Sequence, residues 1–201
     1  MSTTQIFPVG LFLADHPVAV VGAGHEAEDK LSRLLDAGAN VTVYAPVIEE
    51  PGIASWIADG TVEHVDTWLD PADVGRYHMV LSTRMDRAYS AALAEACRSA
   101  RTLVSCYDQI QYSDISMPAL VRRGLLRIAI FTAGASPSLA GRIRRSLEAL
   151  FDEQFEHFLA ELGHLRERLK QDGMDFTTRR RILNEAVKDF EIVGEVRYPQ
   201  K

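Results

Sequence analysis

The chain of 201 residues has only two cysteines, Cys97 and Cys106. Two are too few for a disulfide framework, and their spacing matches no common zinc motif. No apolar run approaches the roughly 18 residues of a membrane helix, so no membrane partner is expected. The opening Met1-Ser-Thr-Thr-Gln-Ile-Phe-Pro8 lacks the basic region and long apolar core of a secretory signal. These absences predict a soluble, cytoplasmic protein. A net charge of −6 argues against general nucleic-acid binding.

One absence is local. Between Ile115 and Leu147 there is no Asp or Glu, yet the segment holds Arg122, Arg123, Arg127, Arg142, Arg144 and Arg145. A basic island in an acidic chain is where an anionic ligand or an acidic partner surface would bind. The plainer alternative is a solvated rim whose arginines pair with the acids that begin at Glu148.

What is present is enough to build a core: 47% of residues are hydrophobic and 25% charged. Val18–Gly22 reads as a buried strand, His25–Ala37 as a helix closed by Gly38, and Asn40–Tyr44 as a second strand. A short helix over Ile53–Ala58, an edge strand over Thr61–Val65 and a strand over His78–Ser82 follow. An alanine-rich helix over Asp86–Ser99 and a strand over Thr102–Cys106 complete the alternation. Such a rhythm predicts an α/β fold, a Rossmann-like doubly wound parallel sheet. After about residue 112 the rhythm changes to a strand over Leu126–Thr132 and a helix over Ser138–Phe151. Ser136 is the expected cap of that helix, with Pro137 in its first turn. Helices over Glu153–Gln171 and Thr177–Phe190 are separated by Asp172-Gly173. The reading is a dinucleotide-binding domain over 1–112, a connecting segment over 113–150 and a helical part over 151–201.

The stretch Val18-Ala-Val-Val-Gly-Ala-Gly-His-Glu-Ala27 fits G-x-G-x-x-A between a strand and a helix. Gly22 permits the tight turn, Gly24 lets backbone N–H groups approach a phosphate, and Ala27 keeps the helix close to the sheet. The usual acid at the end of the second strand is missing, since Tyr44 is followed by Ala45-Pro46. Glu26, Glu28 and Asp29 open the helix with the same sign as a pyrophosphate. Acids there also stabilise a helix by about 0.3–1 kcal/mol, so their presence alone decides nothing. His25 either touches phosphate or is a solvent-facing turn residue. His157 and His164 share a helix face but read as surface or packing residues, and no metal ligands are assigned.

Two later stretches, Leu103-Val-Ser-Cys-Tyr-Asp108 with Asp114-Ile-Ser-Met-Pro-Ala119, and Ile128–Ala140 followed by Arg142-Ile-Arg-Arg-Ser-Leu-Glu148, carry a resemblance. With Val20-Val-Gly-Ala-Gly24, Lys30 and Leu34-Leu-Asp-Ala-Gly38, they resemble in order and spacing the precorrin-2 dehydrogenase / sirohydrochlorin ferrochelatase family. That family includes the N-terminal half of siroheme synthase. The resemblance implies a Rossmann-like domain, a dimerisation segment (here 113–150) and a helical C-terminal part. It implies NAD as cofactor, held by Gly22, Ala23, Gly24, His25, Glu26, Ala45 and Thr83. The implied catalytic residue is Asp108, at the position of the family's strand-ending aspartate. Arg122, Thr132, Gly134, Ser136 and Arg142 are the implied substrate-binding residues. The implied partners are an anionic tetrapyrrole, a second copy in a homodimer and, as a metallation substrate, Fe2+ or Co2+.

The chain departs from the family at several cofactor positions. Glu26 stands where Val is common, Asp29 where Arg is common, and Thr83-Arg-Met replaces T-D-D. Three functions therefore compete: oxidation of precorrin-2 with or without ferrochelatase activity, chelation alone, and non-catalytic tetrapyrrole or metal binding. Asp108 and the arginine island point to an enzyme acting on an anionic ligand.

Overall fold

The computed structural model describes residues 5–198. That part of the signal-sequence expectation resting on Met1–Thr4 lies outside the described residues. The chain divides into two compact units, one spanning Phe7–Met117 and the other beginning at Pro118.

The first unit is built on five parallel strands: β1 (Pro17–Val21), β2 (Asn40–Tyr44), β3 (Glu63–Val65), β4 (Met79–Ser82) and β5 (Leu103–Cys106). Their order across the sheet is β3-β2-β1-β4-β5, with Val21 opposite both Tyr44 and Ser82. Alternate residues of a strand point to opposite faces, and β1 feeds two cores. Val18 and Val20 join Leu31, Leu34 and Ile53 on one side. Ala19 and Val21 join Val80, Leu93, Cys97 and Val104 on the other. Val18 through Val21 are completely buried, as a parallel sheet covered on both faces requires. The covers are α1 (His25–Asp36), α2 (Pro51–Ala58) and α3 (Arg87–Ala100).

Local chemistry sets the ends of these elements. Gly38 takes a φ of +74° after α1, a conformation a residue with Cβ enters at a cost. The Asp86 side chain accepts from Tyr89 N–H at 2.9 Å, so α3 begins one residue beyond it. The third strand starts at Glu63 rather than Thr61. There the Asp59 carboxylate accepts from Thr61 N–H at 2.9 Å and keeps Thr61 in a turn.

In the second unit, β6 (Ala119–Arg123) and β7 (Leu126–Ile130) form an antiparallel hairpin, followed by α4 (Pro137–Leu150), α5 (Glu153–Gln171) and α6 (Phe176–Ala186). Sequence patterning finds β7 but leaves β6 unassigned, and its signal is the turn glycine, Gly124, at φ +49°. Asp152 caps α5 through Phe155 N–H at 3.0 Å, and Asp175 caps α6 through Thr177 N–H at 2.9 Å. The last helix stops at Ala186 rather than Phe190. Beyond it Val187 and Lys188 bond back three residues, to Asn184 and Glu185, and the chain leaves the helical register. Rings of Phe151, Phe155, Phe158 and Phe190 pack with neighbouring centroids 4.7–5.9 Å apart. Among the described residues no helix is long and apolar enough to cross a membrane.

Candidate functional site

In an open parallel sheet, ligands bind beyond the carboxyl ends of the strands where the strand order reverses. Here that point lies between β1 and β4, and the residues just after them are Gly22 and Thr83. Gly22 has φ +99°, and a Cβ on it would lie 2.0 Å from Thr83 Oγ1. Thr83 in turn donates its hydroxyl to the Val21 carbonyl at 3.0 Å. The glycine is therefore demanded twice, by backbone conformation and by the threonine held against it.

A cleft of about 470 Å³ opens here, lined among others by Gly22, Gly24, His25, Glu26, Glu49 and Thr83. Ala23 lines it too, while Ala45 is buried beneath, its carbonyl accepting from His64 Nε2 at 2.9 Å. Trp68 and Val47 supply exposed apolar surface to the same cleft.

The acids of α1 separate by position. Glu26 faces the cleft and accepts from Arg84 N–H at 3.2 Å. Asp29 pairs with Arg33 at 2.8 Å. Glu28 lies against α2, where a Cβ on Gly52 would meet its carboxylate at 2.0 Å. Only one of the three like charges thus faces the space a pyrophosphate would take, and it is hydrogen-bonded. Gly24 precedes α1 with no side-chain cap, leaving first-turn N–H groups for an anion. The residues present fit a dinucleotide.

Asp108 lies just past β5 on the same edge of the sheet, since Ser82 is paired with Cys106. It is exposed and has φ +56°. A non-glycine residue in the left-handed region is uncommon, and such strain concentrates at functional positions. The turn that imposes it is clamped. The Ser113 hydroxyl accepts from Cys106 N–H at 2.9 Å and reaches the Gln109 carbonyl at 3.1 Å. Gln109 Nε2 donates to the Met85 carbonyl at 2.9 Å. Lys30, almost wholly buried on α1, donates to the Glu26 carbonyl at 2.9 Å and sits 4.8 Å from the Tyr107 ring centre. Burial pushes its pKa below the usual lysine range. One ammonium group thus links the glycine-loop helix to the residue preceding Asp108.

In the second unit, Thr132, Gly134 and Ser136 form the turn into α4. The Thr132 hydroxyl donates to the Ser136 carbonyl at 3.2 Å, and Ser136 Oγ caps the helix through Leu139 N–H at 3.2 Å. Ala133 and Gly134 both have positive φ, 49° and 78°. The arginines of the island differ in their engagement. Arg123 donates to the Phe151 carbonyl at 2.7 Å, Arg127 to the Gly124 carbonyl at 2.5 Å, and Arg144 pairs with Glu148 at 2.6 Å. Of those three only Arg144 pairs with an acid from Glu148 onward, as the solvated-rim alternative holds, whereas Arg123 and Arg127 are held by backbone carbonyls. Arg142 and Arg145 are exposed on α4, and Arg122 lies on β6.

Cys97 and Cys106 are free and buried, and burial pushes the Cys97 thiol up to about 12. Neither has the depressed pKa of a nucleophile. Among the described residues, the metal-ligating side chains that gather are His25, Glu28 and Glu50, within 4.8 Å of one another, and His157 and His164 join no such group. Sequence reading missed Glu49 and Trp68, and marked Arg84 only as a departure from T-D-D. Glu49 and Trp68 reach the cleft from loops with no motif spacing, and only the folded sheet brings them there.

Residues 9–119 match the family model NAD_binding_7, described as "Putative NAD(P)-binding". Among curated proteins, the chain is 33% identical over 174 residues to siroheme synthase 3 of Aeromonas hydrophila, covering 87% of this chain and 37% of that one. It is 34% identical over 165 residues to siroheme synthase of Methylococcus capsulatus, covering 82% and 34%. The chain therefore spans little more than a third of the length of these relatives. Among solved structures it is similar to SirC, a precorrin-2 dehydrogenase, with a TM-score of 0.75 and 26% identity over 92% of this chain and 90% of that one. With its glycine turn, parallel sheet and motif order, the chain belongs to this NAD(P)-binding family, in the group that contains the siroheme synthases and precorrin-2 dehydrogenase.

Proposed function

We propose that the chain is an NAD-dependent precorrin-2 dehydrogenase of siroheme biosynthesis, with Asp108 as its acid–base residue. The observation that carries this reading is the strained, clamped Asp108 on the same sheet edge as a glycine cleft fitted to a dinucleotide. Likeness to SirC along nearly its whole length supports it.

NAD+, when bound, supplies the hydride acceptor. The glycine turn positions the dinucleotide, with Gly22 and Gly24 admitting its backbone-bound phosphates and Thr83 closing the floor. The exposed Asp108 carboxylate takes the proton that leaves the macrocycle as the hydride departs. Its location after a parallel strand keeps it beside the cofactor crevice without being buried in it. Precorrin-2 carries acetate and propionate groups, and guanidinium groups pair with carboxylates through two parallel hydrogen bonds. Arg122 and Arg142, with the α4 entry turn of Thr132, Gly134 and Ser136, are the proposed partners of those groups. The helix start at Pro137 adds a favourable dipole for an anion.

The test is anaerobic turnover of precorrin-2 with NAD+, followed by the absorbance of the tetrapyrrole. Conversion to sirohydrochlorin is the expected result. Tetrapyrrole binding without conversion would replace the dehydrogenase with a carrier. A second reaction, sirohydrochlorin with Fe2+ or Co2+, asks whether the same carboxylate also strips pyrrole N–H protons during metallation. We also propose a homodimer formed through segment 113–150, because α4 presents Leu139, Ile143 and Leu150 to solvent. Light scattering that returned a monomer mass would remove that part.

A further inference from the structure

The second strand ends without the acid that ordinarily holds an adenosine ribose, and the fold supplies one from elsewhere. We propose that Glu49 is the residue that accepts the ribose 2′-hydroxyl and so selects NAD+ over NADP+. The inference rests on the cleft being a dinucleotide site and goes beyond it by naming which dinucleotide it admits and why.

After Tyr44 the chain runs Ala45-Pro46-Val47-Ile48-Glu49 and folds back over the glycine turn. Glu49 N–H donates to the Ala23 carbonyl at 3.2 Å, which anchors the loop directly on G-x-G. The side chain then reaches Gly24. A Cβ on that residue would lie 2.9 Å from Glu49 Oε2, so glycine at this position leaves room for the carboxylate. Glu49 lines the cleft together with Gly22, Gly24, Val47 and Trp68. Its carboxylate thus stands over the second glycine of the motif, in the loop that follows the end of β2.

Carboxylates only accept hydrogen bonds, so this one suits a ribose bearing two O–H donors. A 2′-phosphate has no donor to spare when ionised and carries charge of the same sign, so it is repelled. The neighbouring acids are less suited. Glu26 Oε2 already accepts from Arg84 N–H, and Glu50 is directed toward His25 at 3.9 Å. Glu49 is exposed and solvated, so replacing it disturbs the cleft without removing core packing.

The test is calorimetric titration of the full chain with NAD+ and with NADP+, in the unmodified protein, Glu49→Gln and Glu50→Gln. The unmodified protein should favour NAD+. Glu49→Gln should shrink that preference by about tenfold or more, chiefly by tightening NADP+, whereas Glu50→Gln leaves it unchanged. A ratio within about twofold of the unmodified protein in Glu49→Gln overturns the assignment. Equal shrinkage in Glu50→Gln overturns it as well, since general charge would then be the cause. Failure of the unmodified protein to bind either dinucleotide removes the cofactor site itself, a result distinct from an unchanged ratio.

Discussion

At Asp108 and Gly22 backbone conformation, and not side-chain type alone, supports the roles proposed for them. Asp108 pays for its φ of +56° with a turn clamped by Ser113 and Gln109. Asp108→Asn preserves shape and the tolerance for that conformation but cannot take a proton. Turnover of precorrin-2 should fall by about 10²–10⁴-fold, with tetrapyrrole binding retained in a titration; unchanged turnover would dismiss Asp108 from the mechanism. At Gly22 an added methyl meets Thr83 Oγ1 and a forbidden φ together. Gly22→Ala should destabilise the protein by about 1–3 kcal/mol in urea unfolding and abolish the rise in Tm that NAD+ produces. If the variant keeps both stability and that rise, the glycine cradle is wrongly described.

At the scale of elements, caps and short loops do what periodicity does not record. Asp86, Ser136, Asp152 and Asp175 each satisfy N–H groups at a helix start. The one before α5 heads a long helix whose apolar face is the Phe155–Phe158 cluster. Asp152→Ala should therefore lower stability by about 1 kcal/mol, measured as the shift in urea midpoint. A shift within error would place the holding power in the aromatic packing alone. Lys30 links α1 to the β5 turn through the Tyr107 ring. The acids of α1, alarming as a row of letters beside a phosphate loop, are dispersed by helical geometry. Three residues one to three places apart point in different directions, toward the cleft, toward α2 and toward Arg33.

For the whole molecule, the buried protonated groups set the alkaline limit. In the unfolded chain a thiol loses its proton near its ordinary value of 9.0, whereas folded Cys97 keeps its own up to about 12. Tyr44, desolvated and hydrogen-bonded to Tyr77, is likewise raised from 10.0 to about 12. Across that window the folded state binds more protons than the unfolded one, so stability falls as pH rises through it. Urea midpoints should decline from about pH 9 upward and more shallowly in Cys97→Ala once its packing loss is subtracted. A flat profile would mean that the thiol is not held neutral.

The strand–helix alternation, the positions of β1, β2 and α5 and the glycine turn were determined by the sequence alone, because hydrophobic period and backbone permissiveness are local properties. The sequence likewise singled out the arginine island through its local lack of acids, and Asp108 through the order of motifs that carries the family resemblance. β6 escaped that reading because a short strand with arginines and a single turn glycine carries little periodic signal. Tertiary structure alone decided which arginines are spent on local partners, since Arg123, Arg127 and Arg144 find theirs only once the hairpin, α4 and the residue following α4 have formed. It also decided where the missing ribose acid comes from. Glu49 is unremarkable in the row of letters, five residues beyond the strand it serves. It becomes a cleft residue because its own N–H is drawn to Ala23 across a turn that only glycine can make.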